Sequence, residues 1–172
     1  DIAERLKNTL LEGSPVIRVS ARDGTGISEL KEAVSSLVDK VREGRDIGRP
    51  RLPVDRVFII KGSGVVVTGT LHFGSLAAGD DVVILPAGAP AHIRSVECYK
   101  ETSPKVEPGC RVALNLSGVK REDLGRGDVI VPAWGDKSTS KIINIQVSLL
   151  ANPDFCLKNG EEVLVYIETG EY

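Results

Sequence analysis

Apolar residues in this chain follow two rhythms. Near the start they recur at helical spacing. Ile2, Leu6 and Leu10 fall at i, i+4 and i+8, the stripe of an amphipathic helix that Gly13-Ser14-Pro15 ends. Val16-Ile17-Arg18-Val19 predicts a short strand, and Ser20 to Gly26 a polar, glycine-bearing loop. Ser28 reads as an N-cap. Leu30, Val34, Leu37, Val38 and Val41 then predict a helix of about 14 residues. Helix, strand, loop and helix are the closing elements of an α/β sheet domain. One strand and two helices bury no sheet core, so this segment is expected to be the tail of a domain whose body lies upstream.

After Glu43 to Pro50, a charged stretch with Gly and Pro but no periodicity, the rhythm shortens. Val57 to Lys61, Val65 to Leu71, Asp81 to Leu85, Ala91 to Tyr99, Arg111 to Leu116 and Asp128 to Val131 are short β-rich runs divided by Gly, Pro and Asp turns. Such spacing predicts a small closed barrel. Gly62, Gly64 and Gly69 lie in or beside these strands, where glycine marks bulges, corners or a close backbone approach. Gly135 to Ser140 is a second junction. Ile143, Ile145, Val147 and Leu149 then alternate with polar residues, and Glu162 to Glu168 follows as another strand after an Asn159-Gly160 turn. The expected fold is mainly β. It comprises the end of an α/β domain at 1–43, a linker at 44–53, a barrel at 54–134, a linker at 135–140 and a truncated second β domain at 141–172.

Composition narrows the function classes. In 172 residues, 22 Lys and Arg against 24 Asp and Glu give a net charge of −2, so RNA binding requires a local patch rather than a global field. No apolar run reaches the roughly 20 residues of a membrane span. The three cysteines, Cys98, Cys110 and Cys156, lack CxxC spacing, which fits a reducing, cytoplasmic setting. His72 and His92 have no metal-ligand spacing to them, so no metal site is expected. The absence of Met, with the two cut domains, reads as an excised piece of a longer protein.

Several motifs resemble a known family. Val19-Ser20-Ala21-Arg22-Asp23-Gly24-Thr25-Gly26-Ile27-Ser28-Glu29-Leu30 resembles the last guanine-recognition motif of Ras-like GTPases; taken alone it is equally a capped helix after a tight turn. Val54-Asp55-Arg56-Val57-Phe58-Ile59-Ile60-Lys61-Gly62-Ser63-Gly64-Val65-Val66-Val67-Thr68-Gly69-Thr70-Leu71 resembles the opening hairpin of domain II in translational GTPases. Gly79 to Pro86, Glu107 to Val119 and Arg126 to Ile130 continue that pattern. Val54-Asp55-Arg56, Lys61-Gly62-Ser63-Gly64 and Asn115-Leu116-Ser117-Gly118 point to the selenocysteine-specific elongation factors. Elongation factor Tu typically carries Arg where Ser63 and Thr70 stand. A general elongation factor Tu-like or initiation factor two gamma-like GTPase is the alternative.

The resemblance implies the following. Ser20, Ala21 and Arg22 would meet guanine. Asp55, Arg56 and Arg111 would hold the selenocysteyl end of an aminoacyl-tRNA, the guanidinium groups facing the selenolate. Gly62, Gly64, Thr68 and Gly69 would let the tRNA approach the backbone. Read from position alone, Arg56 and Arg111 are surface residues in ordinary ion pairs worth about 0–1 kcal/mol. Lys100, Lys105, Lys120 and Arg121 are a solvated face or contacts to tRNA phosphates. The implied partners are selenocysteyl-tRNA, the ribosome and a messenger-RNA hairpin bound through C-terminal modules outside this chain. The family uses GTP or GDP with Mg2+ and hydrolyses GTP. This chain lacks a GxxxxGK[ST] loop, switch segments and NKxD, so neither nucleotide cofactor nor turnover is expected of it alone.

Overall fold

The computed structural model describes residues 1–40, 46–60, 62, 64–147 and 156–172. The chain forms two compact units. One comprises 1–42 with 143–161, the other 43–142 with 162–172.

In the first unit, α1 spans Ile2–Arg5 and α2 spans Ile27–Val38. The first helix is much shorter than its periodicity predicts. Asp1 caps it through the Ala3 amide, and the chain then breaks into turns, with Asn8 at φ 59. Gly26, not Ser28, is the N-cap of α2. The predicted helix end at Val41 lies outside the described residues. Val16 to Val19 forms no strand. A strand exists by pairing, and the described part of this unit contains no other strand to pair with. The same reason accounts for Ile143 to Val147, which carry strand-like alternation and no strand; Ser148 and Leu149 lie outside the described residues. No residue of either helix is buried.

The second unit is the barrel. Its strands are β1 Leu52–Ile60, β2 Gly64–Thr70, β3 Leu76–Ala77, β4 Asp81–Leu85, β5 Ala89–Cys98, β6 Glu101–Ser103, β7 Lys105–Val106, β8 Arg111–Ser117 and β9 Val129–Pro132. Neighbours run β4-β9-β1-β2-β8-β5, and β5 returns to β4, so six antiparallel strands close on themselves. Closure removes the unpaired edges that an open sheet would present. β6 extends β5, while β3 pairs with β7. All six long runs predicted from the sequence are strands, and β1 begins earlier than its predicted start at Val57. Pro53 supplies no amide hydrogen and is still accommodated, pairing with Val129. The predicted strand from Glu162 to Glu168 is reduced to a hairpin, β10 Tyr166–Ile167 and β11 Gly170–Glu171.

Alternation decides what fills the barrel. Val112, Leu114 and Leu116 of β8 point inward, and Arg111, Ala113, Asn115 and Ser117 point outward. Leu52, Val54, Val67, Leu71, Ile84, Ile93 and Ile130 complete a core that water does not reach. Each such side chain contributes about 1.5–3 kcal/mol by leaving water.

Candidate functional site on the barrel wall

β1 and β2 do not pair evenly. Val54 lies opposite Gly69 and Arg56 opposite Thr68, so Asp55 is the extra residue of a β-bulge. Gly69 makes the bulge possible. A Cβ there would stand 2.2 Å from the Pro53 carbonyl oxygen, closer than any real contact. The bulge re-aims Asp55, whose side chain is only 19% exposed. Its Oδ1 accepts a hydrogen bond from Thr68 Oγ1 at 2.5 Å, and its Oδ2 pairs with Arg111 Nη1 at 2.5 Å.

Three strands thus supply one polar cluster: Asp55 from β1, Thr68 from β2 and Arg111 from β8. Arg56 stands beside it, exposed, opposite Thr68. Partial burial pushes the Asp55 carboxyl up. The hydrogen bonds from Arg111 and Thr68 and the charges of Arg111 and Arg56 outweigh that and hold it below its ordinary value. The cluster is therefore a fixed carboxylate paired with the Arg111 guanidinium, with the charge of Arg56 nearby. Arg111, half exposed, keeps donors for a further anion, and arginine is not neutralised at working pH.

The glycines divide. Gly69 is buried and serves the approach of Pro53 rather than opening a face to solvent. Gly62 and Gly64 adopt φ of 85 and 97, in the left-handed region, and a Cβ on Gly62 would meet open space. Of the scattered cations, Lys105 pairs with Glu107 and Lys120 with Glu122. Arg121 donates to the Leu124 carbonyl. Lys100 has no ion pair among the described residues. His92 pairs with Asp81 at the surface. Cys98 and Cys110 pack against the core, and burial, then the Cys110 thiol, pushes the Cys98 thiol up.

In the first unit, Ser20, Ala21 and Arg22 lie in a tight loop. The Ser20 amide donates to Thr25 O, and Gly24 donates back to Ser20 O. Gly26, at φ 72, is forced by the Arg18 carbonyl, which a Cβ would overlap. Hydrogen bonds from the Thr25 backbone and side chain, then Ser20, hold the Asp23 carboxyl down. The sequence carries no phosphate-holding loop for a guanine nucleotide.

Residues 64–131 match the family described as Elongation factor Tu domain 2. The selenocysteine-specific elongation factor of Methanocaldococcus jannaschii is 40% identical over 121 residues, 70% of this chain and 26% of that protein. That of Desulfomicrobium baculatum is 33% identical over 163 residues, 95% of this chain and 26% of that protein. The crystal structure of translation elongation factor SelB from Methanococcus maripaludis in its apo form superposes with a TM-score of 0.71 at 29% identity. It covers 80% of this chain and 29% of the other. The chain thus spans about a quarter of the length of the curated relatives it matches. Its barrel is an elongation factor Tu domain 2, and the chain belongs to the translation-factor family that carries this domain, with selenocysteine-specific elongation factors among its relatives.

Proposed function

We propose that this chain is the middle of a GTP-dependent elongation factor that carries selenocysteyl-tRNA to the ribosome, and that its barrel holds the aminoacyl end. The observation that carries this reading is the Asp55–Thr68–Arg111 cluster with Arg56 beside it, on a barrel similar to those of selenocysteine-specific factors. A selenol is more acidic than a thiol and is anionic at neutral pH. Fixed guanidinium groups favour that anion over the neutral hydroxyl of a seryl ester. Arg111 and Arg56 supply the charge. Asp55 holds Arg111 in place and restrains it from binding arbitrary anions.

The remaining assignments belong to the same reading. Segment 1–43 closes a guanine-nucleotide domain whose Ser20, Ala21 and Arg22 face the base, with Mg2+ and the phosphates held upstream. Segment 54–134 is domain II, and 141–172 opens domain III. Gly62, Gly64 and Thr68 border the path of the tRNA end. Further C-terminal modules would take the messenger-RNA hairpin, in the cytoplasm.

The test is equilibrium binding of selenocysteyl-tRNA and of its seryl precursor. The selenocysteyl form should bind at least about tenfold tighter, a difference of about 1.4 kcal/mol. Arg111→Ala should erase most of that preference. Equal affinity for the two tRNAs in the unaltered protein overturns the selenium-specific reading and leaves a general aminoacyl-tRNA carrier.

A further inference from the structure

Two of the chain's three cysteines meet at one end of the barrel. Cys98 is the last residue of β5, and Cys110 stands immediately before β8. Val112 lies opposite Cys98, so Cys110 is its diagonal neighbour on the facing strand. Alternation turns both thiols to the same side. Val96 and Val112 face the core, and each cysteine is two residues from one of them. Both cysteines are half-buried and pack against the same apolar cluster. The Cys110 thiol is near enough to add to the burial that raises the Cys98 thiol.

Among the described residues, no histidine or carboxylate joins this pair to make a metal-binding group of three. What remains is the chemistry of two adjacent thiols. Diagonal Cα atoms across an antiparallel pair stand about 7–8 Å apart, and their Cβ atoms less. A disulfide spans Cα separations up to about 6.8 Å. The difference is small, and both cysteines sit at strand ends, where the backbone yields most easily.

We propose that Cys98 and Cys110 are a two-electron redox site that a hydroperoxide converts to a disulfide between β5 and β8. A small oxidant suits half-buried sulfurs. Cys98 keeps its proton, so the Cys110 thiolate attacks first. An S–O bond forms, the O–O bond breaks, and the departing hydroxide takes up the proton that Cys110 released, giving water. The Cys98 sulfur then attacks the Cys110 sulfenic acid. The S–S bond forms as the S–O bond breaks, and the leaving hydroxide carries off the Cys98 proton as a second water. The two thiols lose two electrons, and the peroxide gains them. The product ties the end of β5 to the residue preceding Arg111.

The test is peptide mapping of the whole chain after treatment with hydrogen peroxide, the remaining thiols being alkylated under denaturing conditions. Trypsin cuts after Lys100 and Lys105, so the two cysteines fall in separate peptides. The expected product is those two peptides joined, two hydrogen masses lighter than their sum. Its yield should not depend on protein concentration, and dithiothreitol should part it again. Cys156, the exposed thiol, is the internal control, because exposure alone would make it oxidise first. Cys156→Ser should form the joined peptides as the unaltered chain does. Cys98→Ser should leave a Cys110 sulfenic acid that dimedone traps, whereas Cys110→Ser should leave Cys98 free of dimedone. Recovery of Cys98 and Cys110 as separately alkylated peptides while Cys156 is oxidised overturns the inference. So does preferential joining of either one to Cys156, or a Cys98–Cys110 link found only between two chains.

Discussion

Asp55 and Arg111 meet across an intervening strand. Asp55 belongs to β1 and Arg111 to β8, with β2 between them, and Thr68 of that middle strand binds the same carboxylate. The contact requires the bulge at Asp55, and the bulge requires Gly69.

Gly69→Ala tests this dependence. The added methyl group overlaps the Pro53 carbonyl, so β1 must shift or the bulge must vanish. The expected loss is about 1–3 kcal/mol of stability in denaturant titration, together with lost discrimination between tRNAs. Gly79→Ala is the control. Gly79 also has positive φ, 97, but a Cβ there meets nothing within 4 Å. It should cost about 1 kcal/mol and leave recognition unchanged.

Asp55 also predicts an acid response. Its carboxyl sits below the ordinary 3.8 in the folded state, so it contributes stability above that value and loses it as pH falls through the folded value. Asp55→Asn should lack this part of the acid destabilisation. Thermal midpoints recorded from neutral pH down to about 3 should converge for the two proteins at the acid end. Parallel curves over that range would contradict the assignment.

Removing the partner is a different perturbation. Arg111→Ala leaves the mostly covered Asp55 with the Thr68 hydrogen bond and the charge of Arg56. The Asp55 carboxyl should rise, measurable by NMR titration, while stability falls by about 0–1 kcal/mol because Arg111 itself is half exposed. Arg111→Lys should keep the charge but lose part of the geometry, recovering an intermediate preference for the anionic ester.

The seam of the barrel is a further test. Ile130 of β9 is fully buried and lies opposite both Leu52 of β1 and Ile84 of β4. Ile130→Ala should destabilise by about 2–5 kcal/mol in denaturant unfolding.

The barrel was legible because its long strands each alternate over several residues, and alternation is what a closed sheet with one dry face imposes. The strands β3, β6 and β7 were not, since two or three residues carry no period. Val16 to Val19 misled for the opposite reason: apolar β-formers state a preference, but pairing needs a neighbour. At the site, Asp55, Arg56 and Arg111 entered through resemblance, and no spacing rule brings residues 55 and 111 together. Thr68 entered the same way, as part of the tRNA path, and the structure makes it a ligand of the Asp55 carboxylate. The bulge had a sequence trace in Gly69, but its partner Pro53 emerged only from the register.

β1 changes neighbour along its length. Leu52 and Pro53 pair with β9, Val54 still exchanges backbone hydrogen bonds with Gly127 and Asp128 while lying opposite Gly69, and from Arg56 onward the strand pairs with β2. The acidic side chain that organises the cluster therefore springs from the very point of handover. Any slackening where the cylinder is joined displaces that carboxylate first. On the proposed reading, the surface that holds the aminoacyl end and the integrity of the β-cylinder are consequently a single mechanical property, and a variant that gains looseness at the join should forfeit selectivity before it unfolds.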